Sequence, residues 1–186
     1  SLFGTNPICF GAPTGKVPFI LDASTSIINR GKIRRAHKLG KKIPYGVALD
    51  KNGKITTNAY KALKGTQLPI SGYKGSGLAW MVDILSGVLT GSSHGGKTRD
   101  PFDDFSGPQN MGHLFLIINP KLFIGKNFLK EMKKNIRLVK RLPKAKGFNS
   151  ILYPGERKNK IYKKNLNKDI YIPIQILEEM DKLNAI

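Results

Sequence analysis

Apolar side chains recur at Leu78, Met81, Val82, Leu85, Val88 and Leu89, the three-and-four rhythm of one helix face. The opposite side carries Ala79, Ser86 and Gly87 in place of charges, which predicts a helix buried on most sides. Asp83 is the exception, and a buried carboxylate there needs a partner. Phe128, Met132, Ile136 and Val139 step in the same way, predicting an amphipathic helix over 127–142 with a lysine-rich outer face. Ile174, Leu177, Met180 and Leu183 predict a terminal helix.

Between these helices the pattern shortens to strands. Residues 8–10 and 17–21 read as two strands flanking a Gly-Ala-Pro-Thr-Gly loop, with Pro18 near the start of the second. Residues 113–118 read as a buried strand ended by Asn119-Pro120. Residues 47–57 predict a hairpin turned by Asn52-Gly53. Shorter strand-like pieces are expected at 147–153, closed by Pro154-Gly155, and at 170–173. Strands and helices thus mix along one chain, with no repeat and no second domain boundary. The expectation is an α/β fold, a mixed sheet with packed helices, formed by residues 1–186 as a unit.

Two polar stretches interrupt this frame at positions able to meet a ligand. Asp22-Ala23-Ser24-Thr25-Ser26 ends the second strand, where hydroxyls and a carboxylate line crevices in α/β proteins. Ser24 or Thr25 is equally suited to cap a helix running through Ile27, Ile28, Gly31 and Ile33. Gly72-Tyr73-Lys74-Gly75-Ser76-Gly77 leads directly into the first helix. Unpaired N–H groups at such an entrance, with Lys74 beside them, suit an anion or phosphate. A tight turn with a solvated lysine accounts for the same residues. Residues 90–104 form a long polar loop, fit for a lid, a partner contact or simple mobility.

Bulk properties narrow the classes. A length of 186 residues and 40% hydrophobic content allow a real core despite a formal net charge of +20. No apolar run is long enough for a membrane-spanning helix. The first residues show neither an initiator Met nor a signal-peptide pattern and read like the interior of a longer protein. One cysteine, Cys9, forms no internal disulfide, fits a reducing compartment, and between Ile8 and Phe10 reads as a small buried hydrophobe. Basic side chains crowd 121–168, a field that attracts polyanions. They are mostly lysines among asparagines and isoleucines. No arginine tract, Cys/His finger or base-stacking motif accompanies them, so dedicated nucleic-acid binding is the weaker reading. No metal-ligand cluster stands out.

Five motifs come in a fixed order: Gly4-Thr5-Asn6-Pro7; Asp22 with Arg30-Gly31-Lys32; Gly72-Tyr73-Lys74-Gly75 with Met81-Val82-Asp83-Ile84-Leu85-Ser86-Gly87; Asn110-Met111-Gly112-His113; and Gly147-Phe148-Asn149 with Tyr153-Pro154-Gly155-Glu156. Together they resemble the type-2 malate/L-lactate dehydrogenase family, which includes ureidoglycolate and sulfolactate dehydrogenases. The resemblance covers nearly the whole chain. It implies a non-Rossmann fold, in keeping with the absence of Gly-x-Gly-x-x-Gly after a first strand. It also implies hydride transfer between NAD or NADP and a small 2-hydroxy or 2-oxo acid, a homodimer and a cytoplasmic setting.

By the same resemblance, cofactor binding falls to Asp22, Ala23 and Ser24, to Lys74 and Gly75, and to Gly155, Glu156 and Arg157. Gln109 holds the place where some members contact substrate, with less grip on a carboxylate than arginine would have. The family's catalytic histidine belongs to a Gly/Asn-His-x-Gly segment upstream of the Gly-Thr-Asn-Pro run. His94-Gly95 superficially resembles that motif but follows the core helix instead of preceding Gly4, so the role is not carried to His37, His94 or His113 and no catalytic residue is assigned. The expectation is the C-terminal portion of a dehydrogenase, with its N-terminal part absent. The alternative is a non-catalytic basic protein that binds nucleic acid or another polyanion.

Overall fold

The structure is a computed structural model and describes residues 2–184. In chain order the elements are β1 (Ile8–Ala12), β2 (Phe19–Ala23), α1 (Arg30–Lys38), β3 (Ala48–Leu49), α2 (Ala59–Leu63), β4 (Thr66–Gln67) and α3 (Tyr73–Asp83). A π-helical turn, Ile84–Val88, prolongs α3. Then come α4 (Lys121–Ile124), a short 3-10 turn, α5 (Phe128–Arg141), α6 (Glu156–Asn165) and α7 (Ile174–Asn184). Helices and strands mix, as an α/β chain requires. The chain forms two compact units: residues 2–8, 23–115 and 172–184 make the first, and Cys9–Asp22 with Leu116–Tyr171 the second.

The first unit contains the core. Ile28, Ile33, Ile43, Val47, Ala48, Ala59 and Ala62 pack together, with Ile33 only 1% exposed. Asn29 caps α1 by accepting from Lys32 N, and Asn58 caps α2 by accepting from Lys61 N. The cap of α1 is therefore Asn29, not Ser24 or Thr25. Those two residues lie in an extended segment: Ile70 N donates to Thr25 O and Ile27 N to Leu68 O, each at 2.9 Å. β3 pairs antiparallel with β4, Ala48 opposite Gln67. The expected hairpin over 47–57 shrinks to the bridge between Leu49 and Ile55. Its turn is held by the Asp50 carboxylate, which accepts from Asn52 N and Lys54 N and so titrates below its ordinary range.

α3 corrects the expected burial. Its inward side is Gly75 and Ala79, continued by Gly87 in the π turn, while Leu78, Met81, Val88 and Leu89 are exposed. The reason is close backbone packing. A Cβ at Gly75 would collide with the Ile70 carbonyl, and Asn6 Nδ2 donates to Ala79 O at 2.8 Å. Small residues are needed where main chains approach this closely, so the larger apolar residues point outward.

The second unit is thinly packed. β1 pairs with β2, and Ile20 N donates to Pro154 O at 3.1 Å. Phe10 meets Phe19 edge-on, Phe19 stacks on Tyr153, and Tyr153 Oη donates to Val17 O at 2.7 Å. Cys9 is exposed rather than buried, because β1 keeps only Ala12 inside. α5 forms where its periodicity predicts, with Phe128, Met132 and Ile136 only half-buried.

Three strand expectations fail. Residues 113–118 form no strand and are exposed, and the stretches 147–153 and 170–173 contain no strand either. Each has the side chains of a strand without a neighbour to bond, and a strand exists only as part of a ladder. α6 is the converse case. Glu-Arg-Lys-Asn-Lys-Ile-Tyr-Lys-Lys-Asn has almost no apolar rhythm, yet it forms a helix after the Gly155 turn.

Candidate functional site

In the first unit, three of the sequence motifs converge on the start of α3. The segment 25–27 runs antiparallel to 68–70, which places the hydroxyl cluster beside Ile70. Ile70 in turn supports the first turn of α3 through Gly75. The Gly-Thr-Asn-Pro run closes the group: Thr25 N donates to Thr5 O at 2.9 Å, and Asn6 holds the Ala79 carbonyl. Ser24 Oγ donates to Ser26 O, while Thr25 and Ser26 are buried. Ala23 is exposed at the end of β2.

Lys74 is exposed, forms no ion pair among the described residues, and lies in the first helical turn rather than in a loop before it. The N–H groups of that turn have no intrahelical acceptors. Gly75 thus serves the packing of the helix, and the first-turn N–H groups with Lys74 supply the positive end.

The other end of α3 is organised by the fourth motif. The Asp83 carboxylate accepts from Gly95 N at 3.0 Å, which answers its need for a partner. Ser93 N donates to Asn110 O, and Gly112 lies against the Ser86 carbonyl and the Thr90 and Ser92 hydroxyls. The loop after α3 is therefore tied at both ends. Gln109 Nε2 donates to Arg99 O, and Arg99 Nη1 donates back to Pro108 O at 2.9 Å. Gln109 thus has a structural bond that its sequence position did not suggest.

The same loop is pinned to α1 by charge. Asp100 receives Arg34 at 2.7 Å and Arg30 at 3.1 Å, and the Arg34 guanidinium lies 4.3 Å from the Phe102 ring. Partial burial pushes the Asp100 carboxyl up, but the Arg34 bond, the Phe102 N–H and both arginine charges outweigh it. The carboxyl therefore stays below its ordinary value. Asp104 is lowered too, chiefly by the Ser106 hydroxyl.

The second unit holds the remaining predicted residues. Gly155 has φ +100°, and a Cβ there would come within 2.6 Å of Pro18 O, so only glycine fits. Glu156 starts α6, accepts from Tyr153 N and is paired with Lys140. Asp22 pairs with Lys158 at 3.0 Å, which brings the end of β2 to the first turn of α6. Arg157 is exposed and in no ion pair among the described residues. Lys140 and Lys158 are the partners that sequence reasoning missed. Nothing in their spacing distinguishes them from the surrounding lysines. Among the described residues no group of His, Cys, Asp and Glu could hold a metal, and no helix is long and apolar enough to cross a membrane.

Residues 1–181 match the family model described as malate/L-lactate dehydrogenase, and the chain belongs to that family. It is 33% identical over 185 residues to the malate/(S)-sulfolactate dehydrogenase of Methanothermus fervidus, covering 98% of this chain and 52% of that protein. It is 38% identical over 179 residues to the L-sulfolactate dehydrogenase of Methanocaldococcus jannaschii, covering 91% and 50%. A dehydrogenase from Sinorhizobium meliloti has a solved structure that superposes with a TM-score of 0.89 at 28% identity, covering 98% of this chain and 53% of that one. The chain spans about half the length of the curated relatives it matches.

Proposed function

We propose that these residues form the cofactor-binding part of an NAD(P)-dependent 2-hydroxyacid dehydrogenase. The observation that carries the reading is the convergence of Gly4–Pro7, the Ser24–Ser26 cluster and Lys74 at the entrance to α3. Relatives named for malate, sulfolactate and ureidoglycolate support the reaction class. One relative is named for NAD(+) and another for NADP(+), so both cofactors remain candidates. The dinucleotide fits the chemistry present: Lys74, in no ion pair among the described residues, and the first-turn N–H groups without intrahelical acceptors suit its phosphates. In the second unit, Asp22, Gly155, Glu156 and Arg157 are the cofactor-binding candidates that the family resemblance implies. A non-Rossmann fold, a homodimer and a cytoplasmic setting belong to this proposal.

Bound nicotinamide supplies a hydride acceptor or donor. The protein's residues position it: Lys74 opposes phosphate charge, Gly75 keeps the α3 entrance tight against Ile70, and the Asp83–Gly95 bond fixes the far end of the helix. Gln109 is the candidate contact for the substrate acid. Proton transfer falls to a histidine in the part of the family's length that these residues do not span. A polypeptide joining the 186 residues to the unmatched half of the M. jannaschii enzyme tests this. The expected result is oxidation of NADH or NADPH on adding oxaloacetate or another small 2-oxo acid. A folded chimera with no turnover of any such acid would contradict it.

A further inference from the structure

Gln109 is the candidate contact for the substrate acid, and its half-buried side chain is held through one bond. Nε2 donates to Arg99 O at 3.1 Å, and the second N–H makes no hydrogen bond among the described residues. A carbonyl accepts from the nitrogen of an amide and not from its oxygen, so this bond decides which end of the side chain is the donor. A carboxylate needs that donor end. Arg99 also secures the backbone beside Gln109, since its Nη1 donates to Pro108 O at 2.9 Å.

The Arg99 carbonyl is in turn set by the residue that follows it. It shares one planar peptide unit with the Asp100 nitrogen, so an anchored Asp100 fixes where that oxygen points. The anchor is strong. Arg34 Nη2 lies 2.7 Å from both oxygens of the Asp100 carboxylate, and Arg30 Nε lies 3.1 Å from one of them. Arg34 reaches Asp103 as well, at 3.1 Å, and Arg30 Nη2 is tied to the end of α2 by Leu63 O at 3.1 Å. The packed pair α1 and α2, which contributes Ile33, Ala59 and Ala62 to the core, is thereby linked through Asp100 and Arg99 to the Gln109 amide. All these residues belong to the first unit.

We infer that Asp100 is a positioning residue for substrate. Clamped by Arg30 and Arg34, it holds Arg99 O where it keeps the Gln109 nitrogen oriented as a donor for the carboxylate of a 2-hydroxy or 2-oxo acid. The inference rests on the reading of Gln109 as the substrate contact.

Two measurements test it. In the amide NMR spectrum of the nitrogen-labelled 186-residue chain, the Gln109 side-chain signals are assigned by their loss in Gln109→Ala. They should stand apart from those of a free glutamine amide and collapse onto them in Asp100→Asn, while Asp100→Glu retains part of the separation. In the chimera, Asp100→Asn should raise KM for the 2-oxo acid roughly 10-fold with kcat nearly unchanged, as loss of one binding contact does. Gln109→Ala should do the same, and the double variant should be no worse than Gln109→Ala alone. Asp50→Asn, which loosens another turn of the same unit, should move neither KM nor the Gln109 signals. Gln109 signals indifferent to Asp100→Asn would overturn the inference, as would KM losses that multiply in the double variant or an unaltered KM in Gln109→Ala. A parent chimera without turnover would contradict the dehydrogenase reading, whereas the spectrum reads the link from Asp100 to Gln109 without any substrate.

Discussion

The two units differ in what holds them together. The first has a closed apolar cluster around Ile33, capped helices and a loop fastened by arginine–aspartate pairs. The second has a short strand pair, one aromatic stack and the helices α4, α5 and α6, and its residues carry 14 of the chain's 25 lysines. Its largest apolar residues on α5 are at best half-buried, and Ala12 is its one buried apolar residue among those described. The contrast teaches that belonging to one family does not make the parts of a chain equally self-sufficient. The first unit buries its own core; the second presents apolar surface that its own residues do not cover.

Core truncation should separate the units most strongly. Ile33→Ala removes a fully buried side chain and should cost about 2–4 kcal/mol in urea unfolding of the chain. Met132→Ala, on the half-buried face of α5, should cost less than about 1 kcal/mol. Equal losses would erase the distinction. Gly155→Ala comes next, because it forces a side chain onto φ +100° and against Pro18 O. A loss of about 1–3 kcal/mol, with disturbed exchange around β2, is expected. Full stability would show that the turn relaxes freely.

A smaller effect belongs to the loop clasp on α1. Asp100 titrates lower when folded than when unfolded, so its contribution is complete above the ordinary carboxylate value of about 3.9. It is lost as pH falls through the lowered folded value. Asp100→Asn should remove about 1 kcal/mol at neutral pH, with little difference from the parent protein once the pH is well below that range. A constant difference down to the most acid condition would assign the effect to packing. The smallest effect concerns the lysine-rich surface. Binding to a DNA or RNA duplex should appear at low salt and vanish by physiological ionic strength, as counterion release predicts. Affinity persisting there would favour the polyanion-binding alternative.

Periodicity alone located α5 and α7 to within a residue or two, because each shows one apolar stripe. It placed α3 correctly but assigned the wrong face inward. The deciding interaction was main-chain contact at Gly75 and Ala79, which a pattern of large apolar residues does not reveal. α6 lacked a stripe altogether, and the segment 113–118 has a strand's apolar pattern but pairs with nothing among the described residues. The candidate site residues stand in motifs that come in a fixed order. Their partners Lys140, Lys158 and Arg99 were not legible, since long-range pairing leaves no local trace.

The central claim is that the entrance of α3 holds the nicotinamide dinucleotide, and a fluorescence titration of NADH and NADPH into the chimera tests it most directly. Lys74→Ala should weaken binding of the preferred cofactor roughly 10-fold, the size expected of one charge-assisted contact. Unchanged affinity in a folded Lys74→Ala chimera would contradict the account.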